Sequence, residues 1–534
     1  MDRKAWLKAR EYTPQMLEVA IQVLEDIANG REVTASVQRH PLPDGGYMAK
    51  HILVAAYRQQ VGSGQWPENL ALLERIRMKP VRTLSGVTTV TVLTKPYPCP
   101  GKCIFCPTDV RMPKSYLPDE PGARRALDHN FDPYDQVAAR LQALEAVGHP
   151  VDKIELLILG GTWSSYRRDY QEWFIQRCFE ALNARPAGSL VEAQTWNETA
   201  LHRNVGLVIE TRPDEVTPEE LTWLRRLGVT KVQMGAQSLD DRILELNQRG
   251  HTVAQTHQAV ALLRRFGFKI VLHWMPNLLG ATLQSDGLDF NHLWDGLCPD
   301  EIKIYPTQLL ANADLYAYWQ RGEYQPYTTQ ELIGLIADIK PCIPRYCRVN
   351  RVIRDIPSTN VVEGNKRTSL RQDVQKELRQ RGKRCQCIRC REVRGQSIAP
   401  LSLRLEELIY AADGAQEWFL SFVTPDDQLA GFLRLSLPEL DTFKVGIGEL
   451  EQAAVIREVH VYGQSLAVGK EQIGAAQHSG LGSRLIQRAE QVARQHGYKR
   501  LAVIAAVGTR KYYLQRGYKR GELYLVKSLT DSDT

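Results

Sequence analysis

Three cysteines, Cys99, Cys103 and Cys106, stand in the stretch Cys99-Pro100-Gly101-Lys102-Cys103-Ile104-Phe105-Cys106. A short loop carrying three thiolates can wrap a four-iron cluster. Three thiolates fill three irons and leave the fourth open, as a cluster that binds and cleaves a second molecule requires. A zinc knuckle would add a fourth Cys or His at close spacing, and none follows. A second set, Cys385, Cys387 and Cys390, is tighter and suits zinc. Cys347 is the first candidate for a fourth ligand and Cys342 the second; reduced free cysteines are the plainer alternative. A third pattern, Gln477-His478-Ser479-Gly480-Leu481-Gly482, opens a helical stretch, Ser483 to His496. Small residues there let helix N-terminal amides face a pyrophosphate; the plainer alternative is a turn.

These residues need elements to hold them. Val87–Leu93 reads as a strand leading into the cysteine loop. Five more apolar runs follow: Ile154–Leu159, Leu207–Glu210, Lys231–Met234, Ile270–Trp274 and Ile302–Tyr305. Each is closed by a glycine-rich or polar motif, and helical stretches lie between them. Strands alternating with helices imply βα units and a parallel sheet, here a partial (β/α)6 barrel open on one side. Barrel sites lie at strand ends, which makes Gly160, Gly161, Arg212, Gln237 and Asn277 candidates for one pocket. Gly160 and Gly161 let backbone approach a ligand closely. Residues 1–80 read as helices, with Thr13 and Pro14 as an entry signal; Arg3, Lys4, Lys8, Arg10, Arg39, Lys50 and Arg58 scatter through them and would be phosphate contacts near a basic cleft. The aromatic run Tyr316 to Tyr327 reads as core packing or as a stacking platform for bases. From 396 the pattern turns to a hairpin, Trp418–Val423 and Leu429–Leu435, then strands Ala454–Tyr462 and Leu501–Ala505. The expected division is 1–80, 81–340, 341–395 and 396–534.

The chain has 534 residues and a formal net charge of +7. Arg345 to Arg394 holds fifteen Lys and Arg against five Asp and Glu, a local net of +10. A basic block in a near-neutral protein is a footprint for a polyanion. Ten cysteines, six of them in two clusters, favour metal chemistry in a reducing compartment over a disulfide framework. No apolar run approaches the ~20 residues that span a bilayer, and the charged N-terminus lacks a leader's apolar core. A cytoplasmic protein with no membrane segment is expected.

The first loop resembles that of the radical S-adenosylmethionine enzymes, and Gly160-Gly161 resembles the glycine pair that contacts the amino group of S-adenosylmethionine. The Gln477–Gly482 pattern resembles the pyrophosphate loop of the GNAT N-acetyltransferases, whose downstream tyrosine can protonate a departing thiolate. The two modules together resemble the Elongator catalytic-subunit family in its stand-alone prokaryotic form. Carrying this likeness are Lys114–Tyr116, Asp152–Glu155, Gly160–Thr162, Glu210–Asp214, Lys303–Thr307, Arg354–Pro357, Arg457–Gly463 and Val507–Tyr513. The resemblance implies an α/β chain with a radical S-adenosylmethionine partial barrel, a GNAT-type domain, a helical N-terminal region and a zinc-type linker. It implies conversion of the wobble uridine of tRNA toward 5-carboxymethyluridine from acetyl-CoA and S-adenosylmethionine. It implies Cys99, Cys103 and Cys106 as cluster ligands, and Lys303 and Tyr513 as catalytic groups. Acetyl-CoA contacts are implied at Lys153, Glu458, Val459, His460, Val461, Gln477, Gly480, Leu481, Gly482, Ser483, Tyr512 and Tyr513. Partners implied are the tRNA anticodon stem-loop and an electron donor, and a homodimer stays open. The chain departs from the family at Pro107-Thr108-Asp109, where members often carry two glycines, and eukaryotic members lack the Cys385/Cys387/Cys390 set. A protein lysine acetyltransferase with a structural barrel and a non-catalytic tRNA-binding scaffold are the rival readings.

Overall fold

Threonine side chains cap five of the helix starts described below, two of them directly before a proline. The computed structural model describes residues 11–42, 45–79, 83, 85–394, 400–439, 445–462 and 480–530. They fall into two compact units, 1–88 with 138–153, and 89–137 with 154–534. Gln477, His478 and Ser479 lie outside the described residues, as do the four N-terminal cations Arg3, Lys4, Lys8 and Arg10.

In the first unit, α1 (Pro14–Ala28) starts where expected: Thr13 Oγ1 accepts from the Met16 N–H at 3.2 Å, and Pro14 takes the first helical position. Helices α2 (Val33–Arg39), α3 (Lys50–Gly62) and α4 (Leu70–Ile76) follow. Ala20, Val23, Leu24 and Ile27 of α1 bury against Leu53, Val54 and Ala56 of α3. The stripe recurs at three- and four-residue steps, so one face of each helix is apolar.

The second unit holds two sheets. The first has strands in sequence order: β1 (Thr88–Leu93), β2 (Lys153–Leu159), β3 (Arg203–Thr211), β4 (Lys231–Gln237), β5 (Lys269–Trp274), β6 (Glu301–Ile304) and β7 (Arg348–Arg351). Every pair from β3 to β7 is parallel. The six expected strands are present, and β7 is a seventh, where the alternation of Arg348 to Arg354 also suits a strand but only Arg348–Arg351 forms one. Helices α5 (Pro133–Glu145, whose residues from 138 on belong to the first unit), α6 (Arg168–Asn183), α7 (Pro218–Arg226), α8 (Val253–Arg265), α9 (Leu283–His292) and α10 (Thr329–Ile339) connect or follow the strands. Thr217, Thr252, Thr282 and Thr328 cap α7 to α10, the last three as reciprocal capping boxes, which satisfies amides the helix leaves unpaired. This is the half-barrel of parallel strands that βα alternation demands.

After α11 (Leu370–Gln380) comes the second sheet: β8 (Arg404–Ala412), β9 (Ala415–Val423), β10 (Leu429–Leu437), β11 (Ala453–Val461), β12 (Arg500–Val503), β13 (Lys519–Arg520) and β14 (Leu525–Ser528), ordered β13-β14-β12-β11-β10-β9-β8. Its β11–β12 pair is parallel, in a sheet whose other described pairs are antiparallel. Helix α12 (Leu481–Gln495) packs across β9, β10 and β11. Strand β8 had no sequence expectation.

Candidate functional site

The cysteine loop leaves β1 and is pinned by its apolar residue. Ile104 is buried in a cluster with Leu279, Leu309, Leu315 and Tyr324, flanked by Phe105, Tyr316, Tyr318 and Trp319. Its N–H donates to the Asn247 carbonyl at 3.3 Å, and its carbonyl accepts from Leu315 at 2.8 Å. Most of the aromatic run expected as core or platform is therefore core. Around the thiols, strand ends converge. Cys99 Sγ lies 3.6 Å from Thr162 Oγ1, directly after Gly160-Gly161. Gly160 has φ +141°, and a β-carbon there would overlap Thr94 Oγ1 at the end of β1. Gly161 has φ +86° and nothing nearer than 3.7 Å to such a carbon, leaving its backbone open to a ligand. Arg249 donates to the Gly235 carbonyl at 2.8 Å and places Nη1 3.5 Å from Cys103 Sγ. Burial pushes the Cys106 thiol up to about 11, with Cys103 adding to it, so ligation must displace a firmly held proton.

Polar atoms near this loop lack partners. Arg212 Nη1, Gln237 Oε1 and Arg249 Nε are buried without a hydrogen bond. A β-carbon on Gly101 would sit 2.5 Å from that Arg212 nitrogen and 3.6 Å from Cys103 Sγ, so the orphaned guanidinium lies against the loop. Gln237 holds φ +69° at the end of β4. Buried polar groups are rarely left unpaired, and a polar ligand such as S-adenosylmethionine fits these vacant valences. Asn277 differs: its Oδ1 accepts from the Tyr327 N–H at 2.7 Å and from Tyr324 at 3.2 Å. It fixes the aromatic loop and is spent there.

Below the loop, the half-barrel interior is polar. Lys303 donates to Gln233 Oε1 and lies 3.9 Å from Glu210. His273 lies 3.1 Å from Gln233 and 3.6 Å from Glu210, whose other oxygen accepts from Tyr116 at 2.9 Å. Burial, then the neighbouring Lys303 charge, hold His273 well below its usual value, so it is neutral. Nothing in the spacing of Glu210, Gln233 and His273 announced this group; it arises because alternate residues of adjacent parallel strands share one face.

In the second sheet the register opens a slot. Pairing of β11 with β12 ends at Ile456↔Val503, while β11 continues to Val461 beside β10. Among the described residues, no second strand pairs with β11 opposite β10 from Glu458 to His460. Such an edge can pair an extended ligand, as the pantetheine arm of acetyl-CoA is. Helix α12 begins beside it at Gly480 (φ +73°), Leu481, Gly482 and Ser483. Gly482 is needed because a β-carbon would come 2.5 Å from Tyr512 Oη. Arg516 stacks on Tyr512 at 3.6 Å and donates to Ser483 Oγ at 3.0 Å. Tyr513 is buried at 5.2 Å from Tyr512, edge to face, and burial raises its hydroxyl above the usual tyrosine value. His460 is neutral, burial lowering it to about 4. Lys153 opens β2.

The slot is tied to the half-barrel. A bulge between Arg434 and Leu435 leaves Arg457 unpaired in the register and turns it inward. Its two Nη atoms each donate to buried Asp300 at 2.7 Å, and Nη2 to Glu417 at 2.6 Å. Glu458 accepts from Arg434 Nε at 2.9 Å and from Lys269. Lys269 reaches Glu301 at 2.7 Å, Glu301 reaches Lys231 at 3.4 Å, and Lys231 reaches Glu155 at 2.6 Å. Burial alone would raise Asp300; Arg457 and Arg434 hold it well below the carboxylate range.

Cys385, Cys387 and Cys390 bring their sulfurs within 4.8 Å of one another, the one such group among the described residues. Metal–sulfur bonds of ~2.3 Å place tetrahedral sulfurs ~3.8 Å apart, so the set fits a single ion such as zinc. Cys99, Cys103 and Cys106 do not converge so closely, as a wider cluster needs. Neither candidate for a fourth zinc ligand lies within 4.8 Å of all three sulfurs. Cys347 is buried at the entry to β7, where its carbonyl accepts from the Ile388 N–H and its thiol feels Cys387. Cys342 is exposed and also outside the group.

The basic block is less free than its +10 suggests. Arg348 pairs with Glu392 at 2.9 Å, Arg354 with Glu120 at 3.0 Å and Arg391 with Asp427 at 2.9 Å. Its exposed cations concentrate on and after α11, at Lys376, Arg379, Lys383 and Arg384.

Comparison with known proteins agrees with this division. Residues 96–286 match the Radical SAM superfamily, 299–380 the Radical_SAM C-terminal domain and 390–518 the Acetyltransferase (GNAT) family. The chain is 44% identical over 456 residues to a tRNA uridine(34) acetyltransferase of Dehalococcoides mccartyi, covering 84% of this chain and 99% of that protein. It is 35% identical over 477 residues to Elongator complex protein 3 of Homo sapiens, covering 86% and 87%. The solved archaeal Methanocaldococcus infernus Elp3 with N-terminal residues 1–46 deleted superposes with a TM-score of 0.72 at 38% identity, covering 83% of this chain and 99% of that one.

Proposed function

Because the chain belongs to the family of the tRNA uridine(34) acetyltransferases and Elongator complex protein 3, we propose that it carboxymethylates C5 of the wobble uridine of tRNA. Acetyl-CoA supplies the carbon and S-adenosylmethionine the radical chemistry. The chain is an enzyme of the acyltransferase class that joins a radical S-adenosylmethionine module to an acetyltransferase module. The observation that carries the reading is the pairing, within one compact unit, of a thiol loop ringed by orphaned polar atoms with a β11 edge that no strand covers among the described residues.

Cys99, Cys103 and Cys106 would hold the four-iron cluster. When bound, that cluster supplies the electron that cleaves S-adenosylmethionine. Gly160, Gly161, Arg212 and Gln237 would position that co-substrate, with Arg249 oriented on Cys103. Glu458, Val459, His460 and Val461 would offer the strand edge to acetyl-CoA. Gly480, Leu481, Gly482 and Ser483 would hold its pyrophosphate with Gln477, and Tyr512 would complete the site. Tyr513, kept protonated by burial, would hold the proton for the departing CoA thiolate. Lys303, with Glu210 and Gln233, would orient the acceptor inside the half-barrel. Exclusion of water there favours radical chemistry.

Zinc at Cys385, Cys387 and Cys390 would pin the segment after β7. The tRNA anticodon stem-loop would meet the exposed cations of α11 through phosphates and splayed bases. An electron donor is required, and homodimer formation is compatible with the chain. All ten cysteines are free, which suits a cytoplasmic setting; among the described residues no helix is long and apolar enough to cross a membrane.

The test is anaerobic incubation of reconstituted protein with tRNA, methyl-labelled acetyl-CoA, S-adenosylmethionine and a reductant. Label should enter tRNA and should require Cys103. Label found only in protein lysines would replace this reading with the protein acetyltransferase one.

A further inference from the structure

Tyr116, Glu210 and Arg354 come from stretches far apart in the sequence, and the fold brings them together at the half-barrel. Ser115, just ahead of Tyr116, holds φ +82°. A serine keeps such a left-handed backbone only where its surroundings enforce it. Arg354 does so. Its Nη1 donates to Ser115 Oγ at 2.7 Å, and its Nη2 donates to the Ser115 carbonyl and, at 3.0 Å, to Glu120 Oε1. The same guanidinium lies 5.1 Å from the centre of the Tyr116 ring. That ring packs against the buried cluster of Leu93, Met112, Ala123 and Ala126. With backbone and ring both fixed, the Tyr116 hydroxyl has one direction, and it donates to Glu210 Oε2 at 2.9 Å.

The other Glu210 oxygen stands 3.9 Å from the Lys303 ammonium and 3.6 Å from His273 Nε2, outside hydrogen-bond reach of either. Lys303 and His273 turn to Gln233 Oε1 instead. A carboxylate and an ammonium this close, both largely out of water, attract strongly and close on each other unless something holds them apart. The charge-assisted bond from Tyr116 to the far oxygen does that. The gap it keeps presents an anionic acceptor beside a cationic donor. A group with a donor and an acceptor on neighbouring atoms fits there, as the diol of a ribose does, or the N3–H and O4 of a uracil. We infer that Tyr116 is a positioning residue, which holds the Glu210 carboxylate off Lys303 so that both stay open to a nucleoside. The inference rests on the function proposed above for the two nucleosides available, S-adenosylmethionine and the wobble uridine.

Tyr116→Phe keeps the ring and removes the hydroxyl. In reconstituted full-length protein with equal iron per chain, two measurements separate the occupants: equilibrium dialysis of labelled S-adenosylmethionine, and the KM for tRNA in the methyl-label assay. A Kd for S-adenosylmethionine raised at least threefold assigns the gap to its ribose. A tRNA KM raised at least threefold, with that Kd unchanged, assigns it to the uridine. Either supports the inference, and changes below threefold in both overturn it. The effect must also run through Glu210. In a Glu210→Gln background, where no carboxylate is drawn to Lys303, Tyr116→Phe should move neither value further. An equal loss in both backgrounds would make Tyr116 a merely structural residue and overturn the inference. A natural chain that binds S-adenosylmethionine yet leaves tRNA unlabelled overturns the proposed function instead, and the dialysis then decides the inference alone.

Discussion

At the scale of single residues, orphaned atoms and displaced pKa values say what each side chain is for. Arg249 is a positioning residue for the cysteine loop. Arg249→Met should leave the fold intact and lower iron retention after reconstitution several-fold, read as iron per chain. Arg249→Lys should recover part of it, since only the planar fork reaches the Gly235 carbonyl and Cys103 together. Asp286 makes a pH prediction. It lies in the first turn of α9 and accepts from the Asn277 N–H at 2.8 Å and from Tyr327 at 2.9 Å. Burial lifts its carboxyl from 3.8 to about 7. A raised folded value means the native state holds the proton more tightly than the unfolded chain. The stabilisation is complete below pH 3.8 and is lost as pH rises through 7, at up to ~1.4 kcal/mol per pH unit. Asp286→Asn should flatten this slope between pH 4 and 7 in denaturant titrations; an identical slope would assign it to other groups.

At the scale of elements, glycines and strand pairing decide the site. Gly160→Ala places a β-carbon into Thr94 at a φ that side chains avoid, and should cost ~2–4 kcal/mol in unfolding free energy. Gly482→Ala should act differently. It displaces the Tyr512 hydroxyl, so the acetyl-CoA Kd should rise about tenfold while the melting temperature moves little. Both tight positions were legible as glycine patterns; what lay behind them was not. The βα alternation was legible because buried parallel strands are near-continuous apolar runs. Strand β8 was not. Its sequence, Arg404 to Ala412, has mixed apolar and acidic residues with no period of two, and it lies at an exposed edge. Its strand state comes from pairing to β9 through Asp413-Gly414, with Ala412 opposite Ala415. The same limit hid the polar barrel face, since Glu210, His273 and Lys303 belong to strands far apart in sequence. Charge counting along Arg345–Arg394 overstated the footprint because the partners of Arg354, Arg391 and Arg345 lie elsewhere in the chain.

At the scale of the whole molecule, the ion network from Arg457 to Glu155 makes the acetyltransferase sheet part of the half-barrel's foundation. Buried pairs add little net stability over apolar residues, yet removing one partner strands the other at a cost of ~3–5 kcal/mol. Arg457→Met should therefore lower the unfolding free energy by ~3–5 kcal/mol, measured by denaturant titration. Asp300→Asn combined with Arg457→Met should recover part of that loss. Full additivity of the two changes would show that Asp300 and Arg457 act independently. The same network has a consequence for biosynthesis. Asp300 leaves the ribosome 157 residues before Arg457. At bacterial or eukaryotic elongation speeds of ~5–20 residues per second, that gap lasts roughly 8–30 s. Throughout it, the nascent half-barrel carries a buried anion whose ion-pair partners, Arg457 and Arg434, are unmade, with Arg264 and the Ile270 N–H alone beside it. The barrel should stay locally open, and a holding chaperone should find it, until translation reaches β11.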